Sequence, residues 1–339
     1  TWASFRLVGG SASFRSGLEK AQKDLVDTVQ RDLDELGVEA DGKGWRPKTL
    51  LYCLEARCPE TGWFVPLLST RLISKGKAAV ADLVPNPAKK AFDIVVRSGV
   101  SAKELTEAER GTVRTDGRGQ DPYLCYVLDG TEHRTKIATL RGDHEAADGT
   151  NANKLRPWKA EDFRPSTDDI FQERLYAIQW MRPKNGGKAN EYEFRAVSDA
   201  DREREARVER YVENHIREWQ ANGLIPDMRI EPGDKTDEPI RTRGWTHWHH
   251  LFAPRQLLFL GLASKHIRAR NDEYVAPLLV FLARLADWSS KLCRYGTGAA
   301  RESVAQTFYN QALNTLFTYG VRSFAFAKTY LLEELAHSP

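Results

Sequence analysis

The sequence predicts an α+β fold with an N-terminal helix, a β-rich middle and a helical C-terminal half. Three patterns predict it. Apolar residues recur every three or four positions near the N-terminus, short β-branched and aromatic runs fill residues 49–182, and helical spacing returns near residue 198. We therefore divide the chain into an N-terminal helix and loop (1–44), a β-rich domain (45–197) and a helical domain (198–339).

The N-terminal helix has a regular apolar stripe. Its members, with polar residues between them, are Leu18, Ala21, Leu25, Val29, Leu33 and Leu36. Gly37 follows directly, and glycine commonly ends a helix. We expect a single helix that ends there.

The β-rich middle is a series of short runs separated by turn residues. The predicted strands are TLLYCLEA (49–56), WFVPLL (63–68), AAVADLV (78–84), AFDIVV (91–96), YLCYVL (123–128), TKIATL (135–140) and RLYAIQW (174–180). Residues 143–169 are polar and irregular, which predicts a long surface loop. PKNGGKAN (183–190) is typical of a hairpin tip.

Helix signals return in the C-terminal part. Ser198 and Asp201 form a capping pair, and an apolar stripe then runs to a stop at Asn222-Gly223. A second helix is predicted to start at Pro254, and a third to follow Asn271-Asp272 and run to Tyr295. A fourth is predicted over residues 301–317, extending towards Leu335.

Composition limits the classes of protein to consider. With 41% hydrophobic and 29% charged residues, the chain is ordinary for a globular protein, and it has no apolar run long enough to cross a membrane. The N-terminus has no signal peptide, and the four cysteines are sparse and irregularly spaced, so we expect a cytoplasmic protein without a membrane partner. The chain has no initiator methionine and begins mid-pattern, so we expect a piece of a longer protein.

Positive charge is concentrated between Arg241 and Arg301. Ten Arg and Lys residues stand there against three acids, a local net charge of +7 within a chain of net charge +3. Such an asymmetry predicts a polyanionic partner. A solvated helical surface is the alternative.

Two clusters could hold a metal. Cys58-Pro59-Glu60-Thr61-Gly62 looks like half a zinc knuckle that has threonine in place of its second cysteine. A ligand set of Cys53, Cys58, Cys125 and His133 lacks two closely spaced pairs, so buried core thiols are favoured.

The second cluster is GWTHWHHLF (244–252), where His247 and His249 or His250 could bind a divalent cation and support an independent metal hydrolase. A structural role at the start of the Pro254 helix is favoured over this. Trp245 and Trp248 could equally stack on a base. Nucleotide-binding, nucleophile-elbow and zinc-protease motifs are absent, and the Arg-Gly-Asp tripeptide at 141–143 is interpreted as a turn.

Four stretches resemble, in order, blocks of the large adenine-specific DNA methylases that carry a zinc-ribbon insert, one branch of which occurs in anti-phage defence loci. They are EARCPETGWFVPLLSTRLISK (55–75), YLCYVLDGTEHRTKIATLRGD (123–143), IPDMRIEPGDKTDEPIRTRGWTHWHHLFAPRQLLFL (225–260) and RLADWSSKLCRYGTGAARESVAQTFYNQALNTLFTYGVRSF (284–324). The resemblance covers about residues 45–325.

The resemblance implies a parent enzyme that methylates adenine N6 in DNA with S-adenosylmethionine. In that family the cofactor loop precedes these blocks and the Asp-Pro-Pro-Tyr motif follows them, and neither is present here. No catalytic or cofactor residue is therefore carried over, and no cofactor is expected in this chain. Both cysteine pairs of the family's ribbon are broken, so no zinc is predicted.

The resemblance and the charge together predict a non-catalytic insert that helps to hold duplex DNA. The expected phosphate contacts are Arg255, Arg268, Arg270, Lys291, Arg294 and Arg301, and the expected stacking residues are Trp245, Trp248 and Tyr295. The alternative is a scaffold that docks the methyltransferase halves, or a protein of the same defence locus, without contacting DNA.

Overall fold

The computed structural model describes residues 10–117, 119–184, 189–298, 301–309 and 312–333, apart from the side chain of Arg301. The predicted α+β class is confirmed, with the N-terminal helix and the β-rich middle in the expected places. None of the described helices is both long and apolar enough to cross a membrane.

Helices stand at both ends of the sequence and between the strands. The described α-helices are α1 (Ala12–Glu35), α2 (Ala102–Ala108), α3 (Ile137–Arg141), α4 (Asp199–Ala221), α5 (Asp237–Arg243), α6 (Pro254–Arg268), α7 (Val275–Asp287) and α8 (Phe324–Ala327). Two 3-10 helices cover Trp248–Leu251 and Lys328–Leu331.

The strands are numbered in chain order. They are β1 (Arg46–Arg57), β2 (Phe64–Leu67), β3 (Leu72–Ser74), β4 (Ala79–Asn86), β5 (Ala91–Arg97), β6 (Val113–Arg114), β7 (Tyr123–Leu128), β8 (Thr131–Lys136), β9 (His144–Glu145), β10 (Asn151–Ala152), β11 (Phe171–Pro183), β12 (Asn190–Ala196), β13 (Tyr295–Gly298), β14 (Arg301–Val304) and β15 (Thr318–Arg322).

The main sheet has eight strands, in the order β12-β11-β1-β2-β5-β4-β3, with β15 also paired to β1. β1 is its centre, because it pairs antiparallel with β11, β2 and β15. β12 comes into contact with β5, so the sheet curls around an apolar interior. That interior contains Leu51, Cys53, Leu68, Ile73, Tyr176 and Phe194.

The helices form a second core. Ser11 caps α1 by accepting a hydrogen bond from the Phe14 amide at 3.1 Å, and Gly37 ends the helix with φ of 65°. α6 packs between α1, α4 and α7. Its Gly261 lies so close to Trp219 that an added Cβ would stand 2.6 Å from the indole.

Several predicted helix signals are confirmed. Ser198 and Asp201 form the expected capping box, Gly223 lies beyond the end of α4 with φ of 62°, and Pro254 occupies the first turn of α6. The helix after Asp272 ends at Asp287 and does not reach Tyr295.

The helix predicted over residues 301–317 is wrong. β14 pairs there with β13 in a hairpin, and β15 then joins β1, so the C-terminal part is mixed and not wholly helical. Strand pairing, with the neighbouring β13 for β14 and with the distant β1 for β15, outweighs the local helical pattern. The predicted extension past Glu333 lies outside the described residues.

The β-rich part differs from the prediction at one strand and agrees with it at one hairpin. The strand predicted at 135–140 ends at Lys136, and Ile137 begins α3. β11 and β12 do pair as a hairpin, with Pro183 opposite Asn190, but residues 185–188 at its tip lie outside the described part.

Candidate nucleic-acid interface

Arg255, an expected phosphate contact, lies inside the fold. Its guanidinium bonds Glu39 at 2.7 Å and Glu205, and it also donates to the Val38 carbonyl at 3.1 Å. Glu39 is itself fully buried, and burial raises the pKa of its carboxyl. Arg255 therefore joins α6 to α4 and to the end of α1, and it is not part of a DNA-facing surface.

Lys291 and Trp245 are buried together. The Lys291 ammonium donates to Glu173 at 2.7 Å and lies 4.6 and 4.9 Å from the ring centroids of Trp245 and Trp158. Two indoles and one carboxylate thus enclose the cation. Neither Lys291 nor Trp245 is accessible to DNA in this arrangement, which corrects the sequence interpretation of both.

Arg268 and Arg270 follow each other at the end of α6 but differ in their partners. Arg270 pairs with Asp272 at 2.6 Å, which neutralises it locally. Arg268 is exposed, and its guanidinium donates a 2.6 Å hydrogen bond to the Asn222 carbonyl. That bond holds the guanidinium in place, and no described acid pairs with its charge.

Arg294 is also exposed, and its guanidinium lies 5.3 Å from the ring centroid of Tyr309. It has no ion pair with any described residue. The neighbouring Tyr295 packs against the interior of the main sheet and its hydroxyl is buried, so its ring is not free to stack on a base. Arg301 lies on β14, but its side chain is outside the described part.

Trp248 is half-buried and lines a shallow recess with Met228 and Arg229. Backbone hydrogen bonds hold the two walls of this recess together, including one of 3.1 Å from the Trp248 amide to the Met228 carbonyl. Of the expected stacking residues, Trp245 is buried, whereas Trp248 and Tyr295 are half-buried.

Half of the ten cations in residues 241–301 are buried or paired with an acid. Arg243 is buried, and Arg255, Arg270, Arg284 and Lys291 are paired with acids. Exposed cations of that segment without an ion pair to any described residue are Arg241, Lys265, Arg268 and Arg294.

Two exposed residues that follow β14 were not predicted from the sequence. Phe308 and Tyr309 are 48% and 60% exposed, and within the described ranges they are the exposed residues among Phe, Tyr and Trp. They stand in the polar stretch QTFYNQ, where the predicted helix offered no reason to single them out. The polar residues that flank them in this stretch are the sequence feature that could have indicated their exposure.

The histidine cluster is a structural element at the start of α6. Nε2 of His249 and Nε2 of His250 bond the carbonyls of Asp162 and Lys159 at 3.1 and 2.9 Å. Nδ1 of His250 accepts from the Thr246 amide at 3.1 Å. Burial lowers the pKa of His249 to about 4 and that of His250 to about 2, so both are neutral at pH 7.

The segment that looks like half a zinc knuckle forms a turn. The Gly62 amide donates to the Cys58 carbonyl at 2.8 Å, and Gly62 has φ of 74°. Thr61, at the position of the missing thiolate, shares a 2.7 Å hydrogen bond with the Tyr126 hydroxyl. Throughout the described ranges no three His, Cys, Asp or Glu side chains are grouped to hold a metal ion.

The Arg-Gly-Asp tripeptide is a turn at the end of α3. Gly142 has φ of 68°, and the Arg141 guanidinium pairs with Asp143 at 2.5 Å. Its two charged groups therefore bind each other.

No protein-family model, curated protein or solved structure matches this chain.

Proposed function

We propose that this chain is the non-catalytic, DNA-handling insert of an S-adenosylmethionine-dependent adenine-specific DNA methyltransferase of an anti-phage system. The resemblance of residues 45–325 to that family suggests the parent enzyme. Methyl transfer and cofactor binding would belong to the parts of the parent enzyme that carry the cofactor loop and the Asp-Pro-Pro-Tyr motif.

The observation that supports the DNA-handling role is a set of exposed cations of residues 241–301 that have no acid partner among the described residues: Arg241, Lys265, Arg268 and Arg294. An exposed, unpaired guanidinium or ammonium releases condensed counterions when it contacts a phosphate, which favours binding. Such contacts fix the position of a duplex and carry no base sequence information.

The test compares two double variants on a random duplex at low salt. Arg268→Ala/Arg294→Ala should weaken binding and lower the magnitude of the log–log salt slope by about 2. The control, Lys89→Ala/Lys103→Ala, removes the same charge from exposed pairs with Asp93 and Glu107 in the β-rich part. Equal weakening by both variants would show a non-specific charge effect and contradict the proposed surface.

A scaffold role is the second candidate, because α7 exposes apolar side chains. Leu279 and Val280 are 42% and 38% exposed. If the chain fails to bind DNA at low salt, Leu279→Lys/Val280→Lys should abolish its co-purification with the co-expressed remainder of the methyltransferase. If co-purification is retained, α7 is not the docking face.

A further inference from the structure

Phe308 and Tyr309 are consecutive exposed aromatic residues on the segment that follows β14. Elsewhere in the described ranges, the side chains of Phe, Tyr and Trp are buried or half-buried. Adjoining exposed apolar side chains are typical of a binding surface.

Arg294 identifies the chemistry of the occupant. Its guanidinium lies over the Tyr309 ring at 5.3 Å and carries no ion pair with a described residue. One face of the ring is therefore next to a cation, and most of the ring remains accessible. A flat aromatic group with an anion beside it would satisfy both features, and a nucleotide has this combination.

The bases of an intact duplex have their faces covered by neighbouring bases. A protein ring can stack only on a base that has left the stack, as in a single strand, a bulge or an extruded nucleotide. We infer that Tyr309, with Phe308 beside it and Arg294 on the adjoining phosphate, binds an unstacked nucleobase. This inference rests on the proposed DNA-handling function and specifies the form of DNA that this part of the surface takes.

The experiment measures affinity for three probes of equal length: a perfectly paired duplex, the same duplex with one bulged adenine, and the single strand. Wild-type protein should bind the bulged and single-stranded probes more tightly than the paired duplex. Tyr309→Ala should lose roughly 5- to 100-fold on these two probes and little on the paired duplex.

Two further variants separate stacking from other effects. Tyr309→Trp should retain the preference because it keeps a flat ring, whereas Tyr309→Leu should lose it although it keeps apolar bulk. Val127→Ala is the matched control, because Val127 is 54% exposed and lies on β7, a strand that contains none of the proposed contact residues.

Each outcome is decisive. Equal affinity for all three probes, with Tyr309→Ala indistinguishable from Val127→Ala, would overturn the inference and leave the proposed duplex-handling function in place. No DNA binding at low salt would contradict both. Loss of self-association in Tyr309→Ala, without any change in DNA affinity, would also overturn the inference and assign the patch to a contact between copies of the chain.

Discussion

At the scale of single residues, buried ions stabilise the junctions between parts of the fold. Arg255 links Glu39 and Glu205, and Lys291 reaches Glu173 between two indoles. Taking such charges out of water is costly, and the cost is repaid only while each partner is present. Removal of one partner leaves the other buried and unpaired.

Lys291 should therefore matter for stability and not for DNA binding. Lys291→Met should lower the free energy of unfolding by about 3–5 kcal/mol, because Glu173 would remain buried without its cation. Chemical denaturation of Lys291→Met, Glu173→Gln and the double variant should reveal a coupling of about 1–3 kcal/mol. The exposed control Lys265→Met should cost less than about 0.5 kcal/mol. Additive effects at Lys291 and Glu173 would contradict the pairing.

The buried histidines predict a pH dependence of stability. His249 and His250 have pKa values lowered from 6.5 to about 4 and about 2. The unfolded chain therefore binds protons below pH 6.5 while the folded chain does not. The contribution of the neutral histidines to the free energy of unfolding is fully present above pH 6.5. It is lost as the pH falls below 6.5, by at most about 1.4 kcal/mol per pH unit for each histidine.

Thermal melts between pH 7.5 and 5 test this. His250→Asn should flatten the pH dependence while it lowers stability at pH 7, because the Lys159 and Thr246 backbone groups lose their partner. His144→Asn, at an exposed position, is the control and should leave the dependence unchanged. If the melting temperature of the wild-type protein stays constant as the pH is lowered from 6.5 to 5, that result would contradict the buried neutral cluster.

At the scale of elements, close packing at Gly261 holds α6 against α4. Alanine is the better helix former, so Gly261→Ala would stabilise an isolated helix by about 1 kcal/mol. In this fold its Cβ would stand 2.6 Å from the Trp219 ring, and Trp219 is buried. We expect a net loss of about 1–3 kcal/mol in the free energy of unfolding.

Gly298→Ala, at the end of β13, is the control for that variant, because its added Cβ would meet no described residue within 4 Å. Denaturant midpoints should separate the two variants clearly. A stabilised Gly261→Ala protein would show that α4 can move away from α6 at little cost.

Elements with strong local signals could be predicted from the sequence. α1, α4 and α6 each carry an apolar stripe or a cap within their own residues, such as Ser198 and Asp201. β15 could not, since its partner strand β1 lies outside the local window, and the short β13–β14 hairpin lies where the local spacing of residues is typical of a helix. Thr318–Arg322 becomes a strand because β1, more than 200 residues earlier, offers it backbone hydrogen bonds.

At the scale of the whole molecule, contacts between residues far apart in the sequence also explain why several predicted DNA contacts are buried. A sequence shows where arginines stand but not which acids they meet. Arg255 pairs with Glu39 at a separation of 216 residues, and Lys291 with Glu173 at 118. The predicted +7 segment therefore presents far less free charge than its composition suggests. Arg268 and Arg294, by contrast, stand where the sequence analysis expected exposed cations.

The central claim is that the exposed cations bind DNA phosphates. The measurement that tests it most directly is the slope of log affinity against log salt concentration for the wild-type chain on a random duplex. Four phosphate contacts predict a slope of about −3.5. A slope near zero, or no binding at low salt, would contradict the DNA-handling role and favour the scaffold.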